Sequence, residues 1–511
     1  MNAFINKELN DAKPGLLLAY LPFALWSPHF ETELEIIQKH LDKGGRVEVL
    51  SCNCNIHVCD PNPGHNLIIC GLCQTRFKTG MKWVRGSAFN NESFYSLTRE
   101  EKSYIDILNS RVWVDLNDVA SFSINGADIG LAALSSIVSI LRESEPDIRN
   151  YQGIIKKHIE TAATVYFSIK NQLKKKNPDQ FLLFNGRLSA MRPALRAAQE
   201  LGIHTLVEER AGELDRYKIT VNTYPHDREK IKSEIETLYN ESNYSDEIKR
   251  KLAMSWFEEC RSGLDKSWSS FTKTQKKNKL PEGFSNKTTN VVIFNSSEDE
   301  YVTIKDWVNP FYANQNDGID RLMEDLSGID NLRVFLRVHP NLKGLNNTQI
   351  KGINAISKKH EMLYVIPADS EVSSYALIDA ADIVVTYSST IGIEASYAGK
   401  LSILMGNAHY EDLGVCIRPD SHDDFISFLR DIATGNKLPV PYINDLGIIK
   451  YGFYKKMCGE KFTYVRPKGI FSADLIRDNK ITTLKSNIVT RVGYRLYREC
   501  NGLLRKTGIC S

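Results

Sequence analysis

The residues best suited to chemistry lie in one stretch, Ala381 to Gly406, which reads ADIVVTYSSTIGIEASYAGKLSILMG. Ile383-Val384-Val385 is a β-branched run of the kind buried on both faces of a parallel sheet. It ends in Thr386-Tyr387-Ser388-Ser389-Thr390, whose hydroxyls, followed by Gly392, suit a tight turn into a helix. That helix carries Ile391, Glu394, Ala395 and Ala398 and stops at Gly399; Leu401 to Leu404 is the next buried strand. A strand, a small-residue turn and a helix N-terminus favour an anion, because free N–H groups and the positive end of the helix dipole both face it. Ser388, Ser389, Thr390 and Gly392 lie at that turn. Glu394, one turn further on, cannot bind a phosphate but could hold ribose hydroxyls. The same residues also suit an ordinary β-α-β unit with a Ser/Thr helix cap.

Other sets surround this one. Leu332 to Val338 is a strand running into Arg337-Val338-His339-Pro340, and Pro340 halts it in an extended loop. Arg337 and His339, two apart, share a face and can converge on a diphosphate. Val291 to Phe294 is a strand followed by Asn295-Ser296-Ser297, which puts Ser296 in a ligand-facing loop. Earlier, the strand Gln180 to Phe184 runs into Asn185-Gly186-Arg187, where Gly186 allows a tight turn at the end of a strand that α/β folds use for ligands. Asn185 and Arg187 would face a cleft. Glu208-Glu209-Arg210 closes the next strand, as a source of a catalytic carboxylate or as a solvated strand end. Cys52, Cys54, Cys59, Cys70 and Cys73 form a cluster. Cys54, Cys59, Cys70 and Cys73 could supply four thiolates to a structural zinc; the alternatives are reduced cysteines beside a strand end or a redox pair.

The elements that must position these groups follow an α/β order. Gly15 to Phe23 is a first strand, Pro28 to Lys43 a helix closed by Gly44-Gly45, and Arg46 to Leu50 a second strand. Helices are expected at Ile129 to Leu141, Tyr151 to Lys176, Ser189 to Leu201 and Asp423 to Ile432. Lys273 to Lys279 followed by Pro281-Glu282-Gly283 reads as an inter-domain linker. The organisation expected is a first domain over 1–285 with a cysteine-rich insertion near 52–73, a second over 286–445, and a basic helical closing segment over 446–511. In that segment Arg491, Arg495, Arg498, Arg505 and Lys506 alternate with Tyr494, Leu496, Tyr497 and Leu504, a pattern of a solvated closing helix or of contact with an anionic membrane face.

Composition narrows the class. A formal charge of +3 over 511 residues makes no case for nucleic-acid binding. The longest apolar run, Leu16 to Trp26, is too short to span a bilayer and lacks signal-peptide flanks, so a cytoplasmic protein is expected. The ten cysteines do not suggest a disulfide-stapled secreted fold.

SSTIGIEASYAGK followed by Gly406 and Tyr410 resembles the C-terminal domain of bacterial capsule-polysaccharide and O-antigen synthesis proteins. More distantly it looks like CDP-glycerol glycerophosphotransferases and nucleotide-sugar 2-epimerases. FNGR at 184–187, EER at 208–210 and the His-Pro loop are similar to patterns of the same proteins. The resemblance implies an α/β glycosyltransferase B fold, two Rossmann-like domains facing a cleft. It implies a nucleotide-sugar donor held by Ser388, Ser389, Thr390 and Glu394, and a glycan or lipid-linked glycan acceptor on the first domain. The expected activity is metal-independent glycosyl transfer in capsule or lipopolysaccharide O-antigen synthesis, at or peripheral to the cytoplasmic face of the inner membrane. Arg337 and His339 would stabilise the leaving phosphate, and Glu208 is a candidate base; no cofactor is required for catalysis. The alternatives are a nucleotide-sugar epimerase, against which Ala395 stands where an acidic residue typically follows the glutamate, and a non-catalytic polysaccharide assembly component.

Overall fold

A computed structural model describes residues 15–434 and 444–484, apart from 87, 286 and 330. The chain divides into two compact units: one takes 226–458 together with 141–145, and the other takes the remaining described residues.

The second of these units is built on β1 (Leu16–Leu21), β2 (Arg46–Ser51), β3 (Phe89–Ser93), β4 (Gln180–Phe184), β5 (Thr205–Arg210) and β6 (Arg216–Val221). β1 reads LLLAYL and is buried along its whole length, because it pairs in parallel with β2 on one side and β4 on the other. β3 is parallel to β2 at the edge, where its polar sequence FNNES is tolerated. β6 turns back antiparallel to β5. Chain order runs β1, β2, β3 to one side and β4, β5 to the other, so the direction of winding reverses between β1 and β4.

The other unit carries β7 (Thr289–Phe294), β8 (Leu332–Arg337), β9 (Leu363–Ile366), β10 (Ile383–Thr386) and β11 (Leu401–Leu404). All five are parallel, in the order β11-β10-β7-β8-β9. The inward residues of each face build separate cores, one around Ile293, Val334, Val385 and Ile403, the other around Val292, Phe335, Val384 and Ala395. Winding reverses between β7 and β10. The fold is thus α/β with two parallel-sheet units of Rossmann type.

Three expectations need correction. The lysine run 273–279 does not separate the units. It is fastened within one of them, where Lys276 N–H donates to Glu371 O at 2.8 Å and Lys279 O accepts from Ser373 N–H at 3.0 Å. Helices Arg228–Glu241 and Asp246–Arg261 belong with this unit because they pack against helix Asp445–Met457, with Tyr454 donating to Glu234 at 2.9 Å and Lys456 pairing with Glu259 at 2.7 Å. Beyond that helix, residues 459–484 of the closing segment are not helical. They form β12 (Glu460–Lys461), which extends the first sheet beyond β6, and an antiparallel sheet of β13 (Val465–Gly469), β14 (Ser472–Arg477) and β15 (Lys480–Thr482). Buried Glu35 fixes this return by accepting the N–H groups of Thr463, Tyr464 and Val465 at 2.8–2.9 Å. The basic residues from Arg491 to Lys506 lie outside the described residues. Among the described residues no helix is long and apolar enough to cross a membrane.

Candidate active site

In open parallel sheets, ligands bind beyond the carboxyl ends of the strands where the winding reverses. In the unit of β7 to β11 that point lies between β7 and β10. It brings Asn295-Ser296-Ser297 together with Tyr387-Ser388-Ser389-Thr390. Ser296 is clamped through its backbone: its N–H donates to Gln315 Oε1 and its carbonyl accepts from Gln349 Nε2, both at 2.8 Å. Its hydroxyl, Asn295 Nδ2 and Arg337 Nε are buried without a hydrogen-bond partner in the protein. Each such orphan costs about 1–3 kcal/mol unless a ligand meets it.

The SSTIGIEA turn is internally braced. Ser388 Oγ donates to Tyr387 O at 2.6 Å, and Ser389 Oγ accepts the N–H of Ile391 at 3.2 Å, so Ser389 rather than Thr390 caps helix Ile391–Tyr397. Thr390 Oγ1 donates instead to Glu394 Oε1 at 3.2 Å, and Tyr375 donates to Glu394 Oε2 at 2.7 Å. Burial pushes the Glu394 carboxyl up, and these two hydroxyls pull it back. Gly392 is required by packing: a Cβ there would sit 2.2 Å from Tyr410 Oη, which donates to Ser389 O at 2.5 Å. Tyr410 and Gly392 therefore act as one device that sets the turn.

Arg337 and His339 part company. The Arg337 guanidinium, buried, clasps the loop after β9 by donating to the carbonyls of Pro367 and Ser370. Burial brings its pKa down to about 10. His339 takes the backbone N–H of Asn341 on Nδ1 at 3.2 Å, and its own N–H donates to Asn295 Oδ1 at 2.8 Å. Burial, with Arg142 and Arg337 adding to it, lowers its pKa to about 4. A neutral imidazole that accepts on Nδ1 carries its proton on Nε2. His339 is thus arranged as a hydrogen-bond donor. Sequence reasoning missed Arg142, whose Nε pairs with Asp299 Oδ2 at 2.9 Å while Nη2 reaches Ser297 Oγ at 3.2 Å. Nothing in the local sequence of Arg142 signals this.

The winding reversal of the other unit, between β1 and β4, collects Asn185, Gly186, Arg187 and the loop into helix His29–Asp42. Asn185 and Gly186 take left-handed backbone angles, φ +57° and +73°, which turn the chain sharply off β4. Asn185 Oδ1 accepts the N–H of Arg187 at 3.2 Å, and its Nδ2 donates to Glu209 Oε2 at 2.7 Å. Glu208, expected as a catalytic carboxylate, is fully buried and lies against His29, with Nδ1 at 3.2 Å from Oε1. The side chain of Glu209, by contrast, is 19% exposed. Burial, helped by Glu209, pushes the Glu208 carboxyl far up, and burial brings His29 down to about 4. His29 was not singled out in the sequence; a histidine directly after Ser27-Pro28, at the start of the helix that follows the first strand, was the available signal.

Cys70 and Cys73 sit in helix Leu67–Trp83, which Asn66 starts by accepting the N–H of Ile68 at 2.9 Å. Cys54 lies in a turn at φ +63°. Among the described residues no three His, Cys, Asp or Glu side chains are grouped to hold a metal, and Cys52, Cys54, Cys59, Cys70 and Cys73 are free thiols. With Leu21, Phe23 and Ile69 they line a largely apolar pocket.

Residues 203–425 match the family model described as capsule polysaccharide biosynthesis protein. The match runs from the EER strand through the His-Pro loop and SSTIGIEA, so the resemblance to capsule-polysaccharide synthesis proteins holds over that stretch. No curated protein matches the sequence. Among solved structures, the chain is similar to the β-Kdo 2,4 transferase KpsC of Thermosulfurimonas dismutans, at 14% identity, 62% of this chain, 87% of that chain and TM-score 0.34. It is also similar to a putative UDP-N-acetylglucosamine 2-epimerase of Listeria monocytogenes, at 9% identity, 88% of this chain, 92% of that chain and TM-score 0.27. A third, the UDP-GlcNAc 2-epimerase of Neisseria meningitidis bound to UDP-GlcNAc, gives 11%, 88%, 95% and 0.27.

Proposed function

We propose that the protein is a glycosyltransferase of capsule polysaccharide synthesis that uses a nucleotide-sugar donor. The donor is assigned to the unit of β7 to β11. Its phosphates lie against Ser296 and the Ser388-Ser389-Thr390 turn, with Glu394 toward the ribose and the glycan or lipid-linked acceptor on the unit of β1 to β6. The observation that carries this reading is the set of buried orphans, Asn295 Nδ2, Ser296 Oγ and Arg337 Nε, near one winding reversal. Two of them can only donate, and a diphosphate supplies acceptors alone. His339, with its proton on Nε2, adds a neutral donor. Such donors stabilise charge as it builds on the leaving phosphate, without a divalent metal.

The test is a thermal-shift screen against UDP, CMP, GDP, CDP and dTDP sugars with the native protein and with Ser389→Ala/Glu394→Ala. A shift with one nucleotide that the double substitution abolishes supports the donor site. No shift with any of them refutes it, and sugar turnover without an acceptor would favour an epimerase instead.

A further inference from the structure

Three groups at the winding reversal of the β1-to-β6 unit form a graded series. Glu208 has a fully buried side chain, His29 is 10% exposed, and Glu209 is 19% exposed. The imidazole lies between the two carboxyls, with Nδ1 at 3.2 and 3.4 Å from the Glu208 oxygens and Nε2 at 3.6 Å from Glu209 Oε1. The Phe184 ring, centroid 4.2 Å away, fixes the plane of the histidine from the end of β4. Glu209 is itself held at both oxygens: Oε2 accepts from Asn185 Nδ2 at 2.7 Å and Oε1 from the N–H of Arg210 at 3.0 Å. The other charges near the histidine include Arg210, beyond Glu209 on β5, and Glu31 on its own helix, and buried Glu33 lies beside Glu208.

We propose that Glu209 is the general base that activates the acceptor hydroxyl, and that His29 and Glu208 position it. The proposal rests on the glycosyl-transfer reading above. The low-dielectric setting keeps Glu208 as a neutral acid that donates to His29 Nδ1. The histidine then has its proton on Nε2, aimed at Glu209. Glu209 is the member of the series most open to solvent, and catalytic hydrogen bonds are often long in an apo structure and tighten in the substrate complex. In the reaction Glu209 takes the acceptor's hydroxyl proton, and the acceptor oxygen bonds to the anomeric carbon. The bond from that carbon to the donor phosphate oxygen breaks, and its electron pair leaves with the nucleotide. Glu209 is the catalytic residue; His29 and Glu208 are positioning residues.

Two measurements decide it. In the full chain carrying ¹⁵N-labelled histidine, the ring-nitrogen shifts at pH 7 should show His29 as the neutral Nε2–H tautomer. A His29 proton on Nδ1 overturns the proposal. With a donor found by the nucleotide screen, Glu209→Gln should lower kcat by about 10²–10⁴-fold, the range for a lost general base, with nucleotide binding unchanged. His29→Gln, whose amide still donates, should retain more activity than His29→Ala. A Glu209→Gln enzyme within threefold of wild type, or equal losses in the two His29 variants, also overturns it. If no nucleotide binds, the donor reading fails by itself, and the tautomer measurement still decides the positioning of Glu209.

Discussion

Replacing Gly392 by alanine tests whether the SSTIGIEA turn is set by packing. In an exposed helix this change is favourable by about 1 kcal/mol. Here the new Cβ would lie 2.2 Å from Tyr410 Oη and 2.9 Å from Thr386 Oγ1, far inside contact distance. Tyr410 is 1% exposed, with no open side to which it can retreat. Moving it breaks its 2.5 Å bond to Ser389 O and leaves a buried hydroxyl unpaired, at about 1–3 kcal/mol. Overpacking adds about 1–3 kcal/mol. Set against the helix gain, the net loss is about 1–5 kcal/mol, or roughly 2–20 °C for a unit of this size at about 2–4 °C per kcal/mol. Calorimetry of Gly392→Ala, Tyr410→Phe and the double variant separates the terms. Tyr410→Phe alone should cost about 1 kcal/mol, and added to Gly392→Ala it should recover part of the loss, since the clashing oxygen is gone. A Gly392→Ala protein as stable as wild type, or a double variant worse than the sum of the singles, would refute the reasoning.

Other outcomes follow from the same structure. Burial raises Glu298 to about 7 although its Oε1 accepts the N–H of Gln315 at 2.6 Å. A raised carboxyl pKa contributes stability fully present below about 4.5 and lost as pH rises through 7, a loss of about 3 kcal/mol at 1.36 kcal/mol per unit. Glu298→Gln should therefore flatten the change in urea midpoint between pH 4.5 and 8; an unchanged profile contradicts the assignment. Glu35→Ala strands the N–H groups of Thr463, Tyr464 and Val465 and should destabilise the β1-to-β6 unit by at least about 3 kcal/mol, read as faster proteolysis within 459–484. Burial raises Cys70 to about 11 and Cys73 to about 12, so both should alkylate with iodoacetamide at pH 7 at least about 100-fold more slowly than an unperturbed thiol. Rapid labelling of Cys73 would show that the thiol is not enclosed as described.

The strands and helices of the parallel sheets were legible in the sequence because their signals are local. LLLAYL and IVVT are continuous apolar runs that only a strand covered on both faces can use, and helix Ile129–Leu141 was bounded to the residue. The turn at Asn185-Gly186 and the stop at Gly399 were marked by residues that tolerate positive φ. What lay beyond reach depends on partners far along the chain. Residues 459–484 carry weak, polar strands whose reason for existing is Glu35, more than 400 residues earlier. Cys70 and Cys73 read as a metal knuckle because the spacing of thiols is local, while their places on a helix flank and in an apolar pocket are not. Glu208 and Glu209 look interchangeable in EER, yet tertiary packing buries the first against His29 and leaves the second reachable. The sequence alone determined the kind of sheet and the turns that end its strands. Only the tertiary structure decided which of two adjacent carboxylates is exposed, because burial is a property of everything packed around a residue and not of its neighbours in the chain.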